Sequence, residues 1–266
     1  MRKKKMIVAN WKMNVTTEKD AENLFVSIRN VVSRLEYTDM VCCPPHMYLN
    51  QVARHVQSPN YRVGAQDAYP EESGSRTGET SVLMIKNAGA EYVILGHSER
   101  RHLEEPLDVS RKVTAVLEHE LTPIVCLGEE QRDKNWKKEL QKQVRESFNR
   151  VPKKNPENII IAYEPIWAIS NDKKNPATST EYNEAIEVIK KELQKVFKTV
   201  KAVSKIRFLY GGSLDDKNIE DYLRHSDTDG FLVGRVSHDP RILMTMFRLI
   251  EEHQRKVEFE SVIGKK

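Results

Sequence analysis

Eight short apolar or β-branched runs, each followed by a longer stretch with helical spacing, constrain this chain more than any other feature. The runs are Met6 to Ala9, Met40 to Cys43, Tyr61 to Ala65, Tyr92 to Leu95, Pro123 to Leu127, Ile159 to Ala162, Ile206 to Tyr210 and Phe231 to Val233. Between them, Ala21, Leu24, Phe25 and Ile28, or Val109, Val113, Val116 and Leu117, or Ala185, Ile186, Ile189 and Leu193 recur at the period of one helix face. Continuous hydrophobic strands such as Ile159-Ile160-Ile161-Ala162 suit a parallel sheet buried on both faces. Eight strand–helix units in 266 residues predict a closed (β/α)8 barrel rather than an open doubly wound sheet. No Gly/Ser linker divides the chain, so residues 1–266 are read as one domain. After Leu249 the pattern predicts a last helix and then, from about residue 253, a loose polar tail.

Composition removes several classes. Three cysteines, two of them adjacent as Cys42 and Cys43, offer neither a disulfide framework nor paired zinc-ligand spacing, and point to a reducing cytoplasm. The basic start Arg2-Lys3-Lys4-Lys5 precedes an apolar run that ends at Asn10, too short for a signal core. No stretch approaches the roughly 18 consecutive apolar residues of a membrane helix. A net charge of +4 suits an anionic ligand, whereas the Lys134 to Lys142 segment reads as a solvated helix face rather than a nucleic-acid surface.

In a parallel barrel, chemistry gathers where strands end and the following loops begin. Asn10 and Lys12 alternate with Trp11 at the end of the first strand, which predicts that amide and ammonium share one side. His97 follows the fourth strand and Glu164 the sixth. A carboxylate can take the acidic hydrogen beside a carbonyl, an imidazole can polarise the oxygens, and an ammonium can stabilise the resulting enediolate. Gly211-Gly212-Ser213 after strand seven and Gly234-Arg235 after strand eight have the make-up of a phosphate cradle, because glycine lets backbone N–H groups approach an anion.

The ordered segments Asn10-Trp11-Lys12, Gly64-Ala65-Gln66, Thr77-Gly78-Glu79, Gly96-His97-Ser98-Glu99-Arg100-Arg101, Cys126-Leu127-Gly128-Glu129, Ala162-Tyr163-Glu164-Pro165-Ile166-Trp167-Ala168-Ile169, Tyr210-Gly211-Gly212-Ser213 and Gly230-Phe231-Leu232-Val233-Gly234 resemble the triosephosphate isomerase family over nearly the whole chain. The resemblance implies that Glu164 is the base, His97 a neutral electrophile, Lys12 the electrostatic partner of the substrate oxygens and Asn10 a further contact. It implies phosphate contacts around Ser170, Ser213, Gly234 and Arg235, and a lid from Pro165 through Ile166 and Trp167 to Ala177, latched by Tyr210 and Ser213. Cys126 and Glu129 are expected to support the site from behind, and Glu99 to lie near Lys12.

The implied reaction interconverts dihydroxyacetone phosphate and glyceraldehyde 3-phosphate, a step of glycolysis and gluconeogenesis, without cofactor or metal. The implied assembly is a homodimer through the loop containing Thr77, with Glu79 and Arg100 pairing across the interface. This chain departs from the family at the lid tip, Ser170-Asn171-Asp172-Lys173, at Gly234-Arg235, where two glycines are usual, and at Arg76, usually apolar or aromatic. The lid and Gly-Arg departures leave an isomerase of a four-carbon tetrulose phosphate as an alternative. A non-catalytic sugar-phosphate-binding barrel is a third reading, which Asn10, Lys12, His97 and Glu164 together oppose.

Overall fold

The computed structural model describes residues 3–101, 103, 106–153, 156–169 and 176–263. The eight runs are eight strands: β1 (Lys5–Asn10), β2 (Thr38–Cys43), β3 (Tyr61–Ala65), β4 (Tyr92–Leu95), β5 (Thr122–Leu127), β6 (Ile160–Tyr163), β7 (Arg207–Tyr210) and β8 (Gly230–Val233). Each pairs in parallel with the next, and β8 returns to β1 with Met6 opposite Gly230, so the sheet closes into a (β/α)8 barrel. Closure needs glycine at that seam. Gly230 has φ 153°, and a Cβ there would lie 1.9 Å from the Met6 carbonyl oxygen.

Two hydrophobic layers follow from the two-residue period of the strands. Ile7, Ala9, Met40, Val93, Ile161 and Phe231 face outward into the helices. Met6, Val8, Val41, Cys43, Ile94, Ile124, Cys126, Ile160, Ala162, Leu209 and Leu232 fill the barrel itself. The helix Glu18–Val32 turns Ala21, Phe25, Ile28 and Val32 onto the sheet, and its first turn is capped by the Thr17 hydroxyl, which accepts from the Asp20 N–H. Ser179–Phe197 starts on a reciprocal capping box between Thr178 and Glu181 and buries Tyr182, Ala185, Ile189 and Leu193.

The C-terminal expectation needs correction. The chain stays helical from Pro240 to Ile263, so the loose tail expected from about residue 253 is instead the last turns of a 24-residue helix. Polar side chains hold it there. The buried Glu251 carboxylate accepts from the backbone N–H groups of Glu36 (3.0 Å) and Tyr37 (2.9 Å) and from the Thr38 hydroxyl (2.8 Å). Gln254 is buried beside it, and Glu258 accepts from the Tyr37 hydroxyl.

Candidate active site

The inward register of the strands dictates what reaches the carboxyl-end mouth of the barrel. Continuing Met6–Val8 gives Asn10, and continuing Ile160–Ala162 gives Glu164. The same step gives Gly96 from Ile94, Gly128 from Cys126, Gly211 from Leu209 and Gly234 from Leu232. Two strands thus present polar side chains and four present none, which leaves a cavity of about 410 Å3. Asn10, Lys12, His97, Glu164, Ser213 and Arg235 are among the residues that line it.

Glycine is required around the carboxylate. A Cβ on Gly128 would fall 1.8 Å from the Glu164 carbonyl oxygen, and one on Gly211 3.0 Å from Glu164 Cγ. Glu164 is only 1% exposed. Its Oε2 accepts the Ser98 backbone N–H at 3.0 Å, and its Oε1 lies 3.1 Å from His97 Nε2. On the other side of the imidazole, Nδ1 accepts the Glu99 backbone N–H at 3.2 Å. An Nδ1 that accepts cannot carry a proton, so the ring is the neutral tautomer with its N–H on Nε2, directed into the cavity.

Lys12 arrives by a different route from strand alternation. β1 ends at Asn10, and Lys12 has a left-handed backbone with φ 52°. The turn is fixed by three hydrogen bonds: the Lys12 N–H donates to Asn10 Oδ1 (3.0 Å), and the Gln66 amide donates to the carbonyls of Lys12 (2.9 Å) and Cys43 (3.0 Å). Asn10 therefore shapes the loop besides lining the pocket. The Lys12 ammonium sits 2.5 Å from Glu99 Oε1. Its stem passes Gly234, where a Cβ would lie 3.0 Å from Lys12 Cε. His238, behind this loop, is held below its ordinary pKa by burial first and by Lys12 as well. The buried Cys126 thiol is pushed well up by burial and by Glu164, so it remains a neutral neighbour of that carboxylate.

Residues of the expected lid divide between pocket and anchor. Ile166 and Ile169 line the cavity, on a short helix Ile166–Ile169 that follows Pro165. Trp167 points elsewhere: its Nε1 donates to Glu129 Oε1 at 3.0 Å. That fully buried carboxylate also accepts from the Tyr163 hydroxyl (2.8 Å) and Arg132 (2.9 Å). The Ser213 hydroxyl donates to the Ala168 carbonyl at 3.0 Å. Tyr210 is buried, stacked on Tyr222 with ring centroids 4.1 Å apart, and burial pushes its hydroxyl up to about 12. The Tyr222 hydroxyl donates to the carbonyl of Ala177 at the far end of the lid. Ser170 and the rest of the lid tip lie outside the described residues.

Sequence reasoning missed Tyr222, because an aromatic on a helix reads as core. It also missed Ser98 and Gln66, which act through a backbone N–H and a side-chain amide turned toward loop carbonyls. Arg100, expected to reach across an interface, pairs within the chain with Asp67 at 2.8 Å. Arg76 bends back, its Nε donating to the Tyr69 hydroxyl at 2.5 Å and its Nη2 3.5 Å from Glu71. Among the described residues no group of three or more His, Cys, Asp or Glu side chains is placed to hold a metal ion, and no helix is long and apolar enough to cross a membrane.

Residues 5–250 match the family model described as Triosephosphate isomerase. Among similar known proteins, one named triosephosphate isomerase from Alkaliphilus oremlandii is 39% identical over 240 residues, spanning 88% of this chain and 95% of that protein. Another of the same name from Clostridium botulinum is 40% identical over 237 residues, with 87% and 94% covered. A third, from Dictyoglomus turgidum, is 34% identical over 251 residues, with 92% and 99% covered.

Proposed function

The chain belongs to the triosephosphate isomerase family, and on that premise we propose that Glu164, His97 and Lys12 carry out the proton transfer by which it interconverts dihydroxyacetone phosphate and glyceraldehyde 3-phosphate. The observation that carries the assignment is the buried Glu164 carboxylate 3.1 Å from the protonated nitrogen of a neutral His97. Substrate entering between them replaces that contact with two others. Glu164 Oε1 takes a proton from the carbon beside the carbonyl, while His97 Nε2–H donates to the oxygen on which negative charge develops. Lys12 adds a positive charge to the same oxygens, His97 passes its Nε2 proton to the former carbonyl oxygen and regains one from the neighbouring hydroxyl, and the proton on Glu164 returns to the neighbouring carbon. The base thus ends as it began, and neither a redox step nor a metal is needed for the atoms to balance.

Asn10, Ser213, Gly234 and Arg235 form the substrate-binding wall, with Ser170 on the lid as a further phosphate contact. Pro165, Ile166 and Trp167 form the moving stem of that lid, latched through Ser213 and through the Tyr210–Tyr222 stack. Exclusion of water has a chemical purpose here, since an exposed enediolate can expel the adjacent phosphate. A four-carbon substrate is not favoured, because the matched relatives are named for the triose reaction. Purified protein assayed in both directions with the two triose phosphates tests this directly. Turnover lost on replacing Glu164 is expected, and wild-type protein without turnover overturns the reading.

The acting unit is one barrel domain, a reading supported by the pairing of β8 with β1. We place it as a homodimer through the loop containing Thr77. Exposed Met13 (92%) and Met47 (79%) beside a cavity lined by His46, Asp67, Glu99 and Arg100 support that docking. Three buried free thiols, Cys42, Cys43 and Cys126, accord with a reducing cytoplasm.

A further inference from the structure

Lys12 stands on a strained backbone, and what holds it there extends past the walls of the pocket. Its φ of 52° is a conformation that a residue with a Cβ leaves unless its surroundings over-determine it. The peptide units on both sides of its Cα are fastened. In the unit before it, the Lys12 N–H donates to Asn10 Oδ1 at 3.0 Å, and the Trp11 carbonyl accepts from Asn14 Nδ2 at 3.0 Å. In the unit after it, the Lys12 carbonyl accepts from the Gln66 amide at 2.9 Å.

Asn14 is held in turn from another strand. Its amide also donates to His238 Nε2 at 3.2 Å, and the His238 ring lies within reach of the Trp11 carbonyl as well. His238 ends the single turn Arg235–His238 that follows β8. That turn is pinned by the buried Val236 and by Ser237, whose N–H donates to the Gly234 carbonyl (2.9 Å) and whose hydroxyl donates to the Asn10 carbonyl (3.1 Å). Above the seam of the barrel, the loops after β1 and β8 are thus tied by two side chains, Ser237 at Asn10 and His238 at Asn14. An accepting Nε2 requires the neutral ring, which burial first and then the charge of Lys12 favour.

We propose that His238 is a positioning residue for Lys12: through Asn14 and the Trp11 carbonyl it holds the peptide before Lys12 and so sets where the ammonium meets the substrate oxygens. The inference rests on the isomerase reading above and adds to it a residue that does not line the cavity. A turn of the Trp11–Lys12 peptide swings the Lys12 Cα–Cβ direction, and the far end of a four-carbon stem moves further than the backbone does. The stem already runs close to Gly234, where a Cβ would lie 3.0 Å from Lys12 Cε, and its ammonium is 2.5 Å from Glu99 Oε1. Displacement of a charge from that position is costly, because transition-state stabilisation depends on where the charge stands.

A double-mutant cycle between His238 and Lys12, read as kcat/KM on glyceraldehyde 3-phosphate, separates positioning from general support of the fold. His238→Ala is expected to lower kcat/KM about tenfold in the wild-type background and by less than about twofold in Lys12→Met, where no ammonium is left to misplace. His238→Gln, which keeps a neutral acceptor for Asn14, should restore most of the loss. Asn14→Ala removes the same bond from its other end and should repeat the pattern, so the cycle can still be closed if His238→Ala does not fold. An equal cost of these substitutions with and without Lys12 overturns the proposal, as does unchanged kcat/KM in the wild-type background or a loss in His238→Gln as large as in His238→Ala. Wild-type protein that turns over neither triose phosphate would instead overturn the isomerase reading, so the two failures are distinct.

Discussion

His97 Nε2 stands 3.1 Å from Glu164 Oε1, and the other oxygen of that carboxylate is held by the Ser98 N–H at 3.0 Å. The base is thus positioned by two consecutive residues of one loop, and its reach matters. Glu164→Asp withdraws the carboxylate by one methylene and is expected to lower kcat by about 10² to 10⁴, the usual worth of a positioned general base. Lys12→Met should lower it by about 10² to 10³ through loss of transition-state charge stabilisation. Thermal melts of both variants should stay close to wild type. Near-normal rates in either would mean that the roles are misassigned.

Gly211 offers a subtler probe of the same carboxylate. An added Cβ meets Glu164 Cγ at 3.0 Å, tighter than ordinary contact. Gly211→Ala should displace the base by a few tenths of an ångström and reduce kcat by roughly tenfold to a hundredfold, since small misplacements of catalytic groups are costly. Stability should change little. Unaltered kcat would show that the carboxylate tolerates the shift.

At the opposite end of the barrel, Glu251 accepts three hydrogen bonds from Glu36, Tyr37 and Thr38. Glu251→Ala leaves those donors unpaired and is expected to cost about 2–4 kcal/mol of stability. Glu251→Gln keeps an accepting oxygen and should cost less. Urea denaturation measures both, and kcat of the folded fraction should be unchanged because the site is at the other mouth. A loss below about 0.5 kcal/mol in the alanine variant would contradict the fastening role.

Acid should loosen the first loop through His238. Its pKa is lowered from 6.5, by burial first and by Lys12, against the opposing pull of the Trp11 carbonyl. Asn14 Nδ2 donates to His238 Nε2 at 3.2 Å, a bond that the protonated ring cannot accept. The unfolded chain takes up its proton near 6.5 while the folded one resists, so stability is full above that pH and is lost as pH falls through the folded value. His46 has the same sign, with burial again the first cause and Arg100 a further one. The urea midpoint is expected to fall between about pH 7.5 and about pH 5, less steeply in His238→Gln, in a window above the ordinary carboxylate range. An equal slope in that variant would remove His238 from the account.

Strands were the most legible part of the sequence because burial on both faces forces continuous apolar runs. Tyr61–Ala65 and Tyr92–Leu95 have the expected ends, and the other six differ by one or two residues. Glu164, His97 and Asn10 were legible for a related reason: each closes or follows such a run. Lys12 was placed on the right side by the wrong means, since a left-handed turn held by Asn10 and Gln66 leaves no trace in strand periodicity. The C-terminal helix was underestimated, as its polar residues find partners such as Tyr37 more than 200 positions away. Pairings of that kind, like Lys12 with Glu99, are settled by closure of the barrel and cannot be seen in any local window.

The seam between β8 and β1 also bears on how the chain is made. The first strand finds its second neighbour only at Gly230, and the segment after the first helix finds its fastening only at Glu251, 213 to 215 residues later. Such distant contacts are slow to form. A ribosome that has delivered the first 229 residues holds an open sheet with two bare hydrogen-bonding edges, the form of a barrel most prone to pair with a neighbour. Delivery of β8 and the helix that follows it converts that vulnerable ribbon into a closed sheet with no edge.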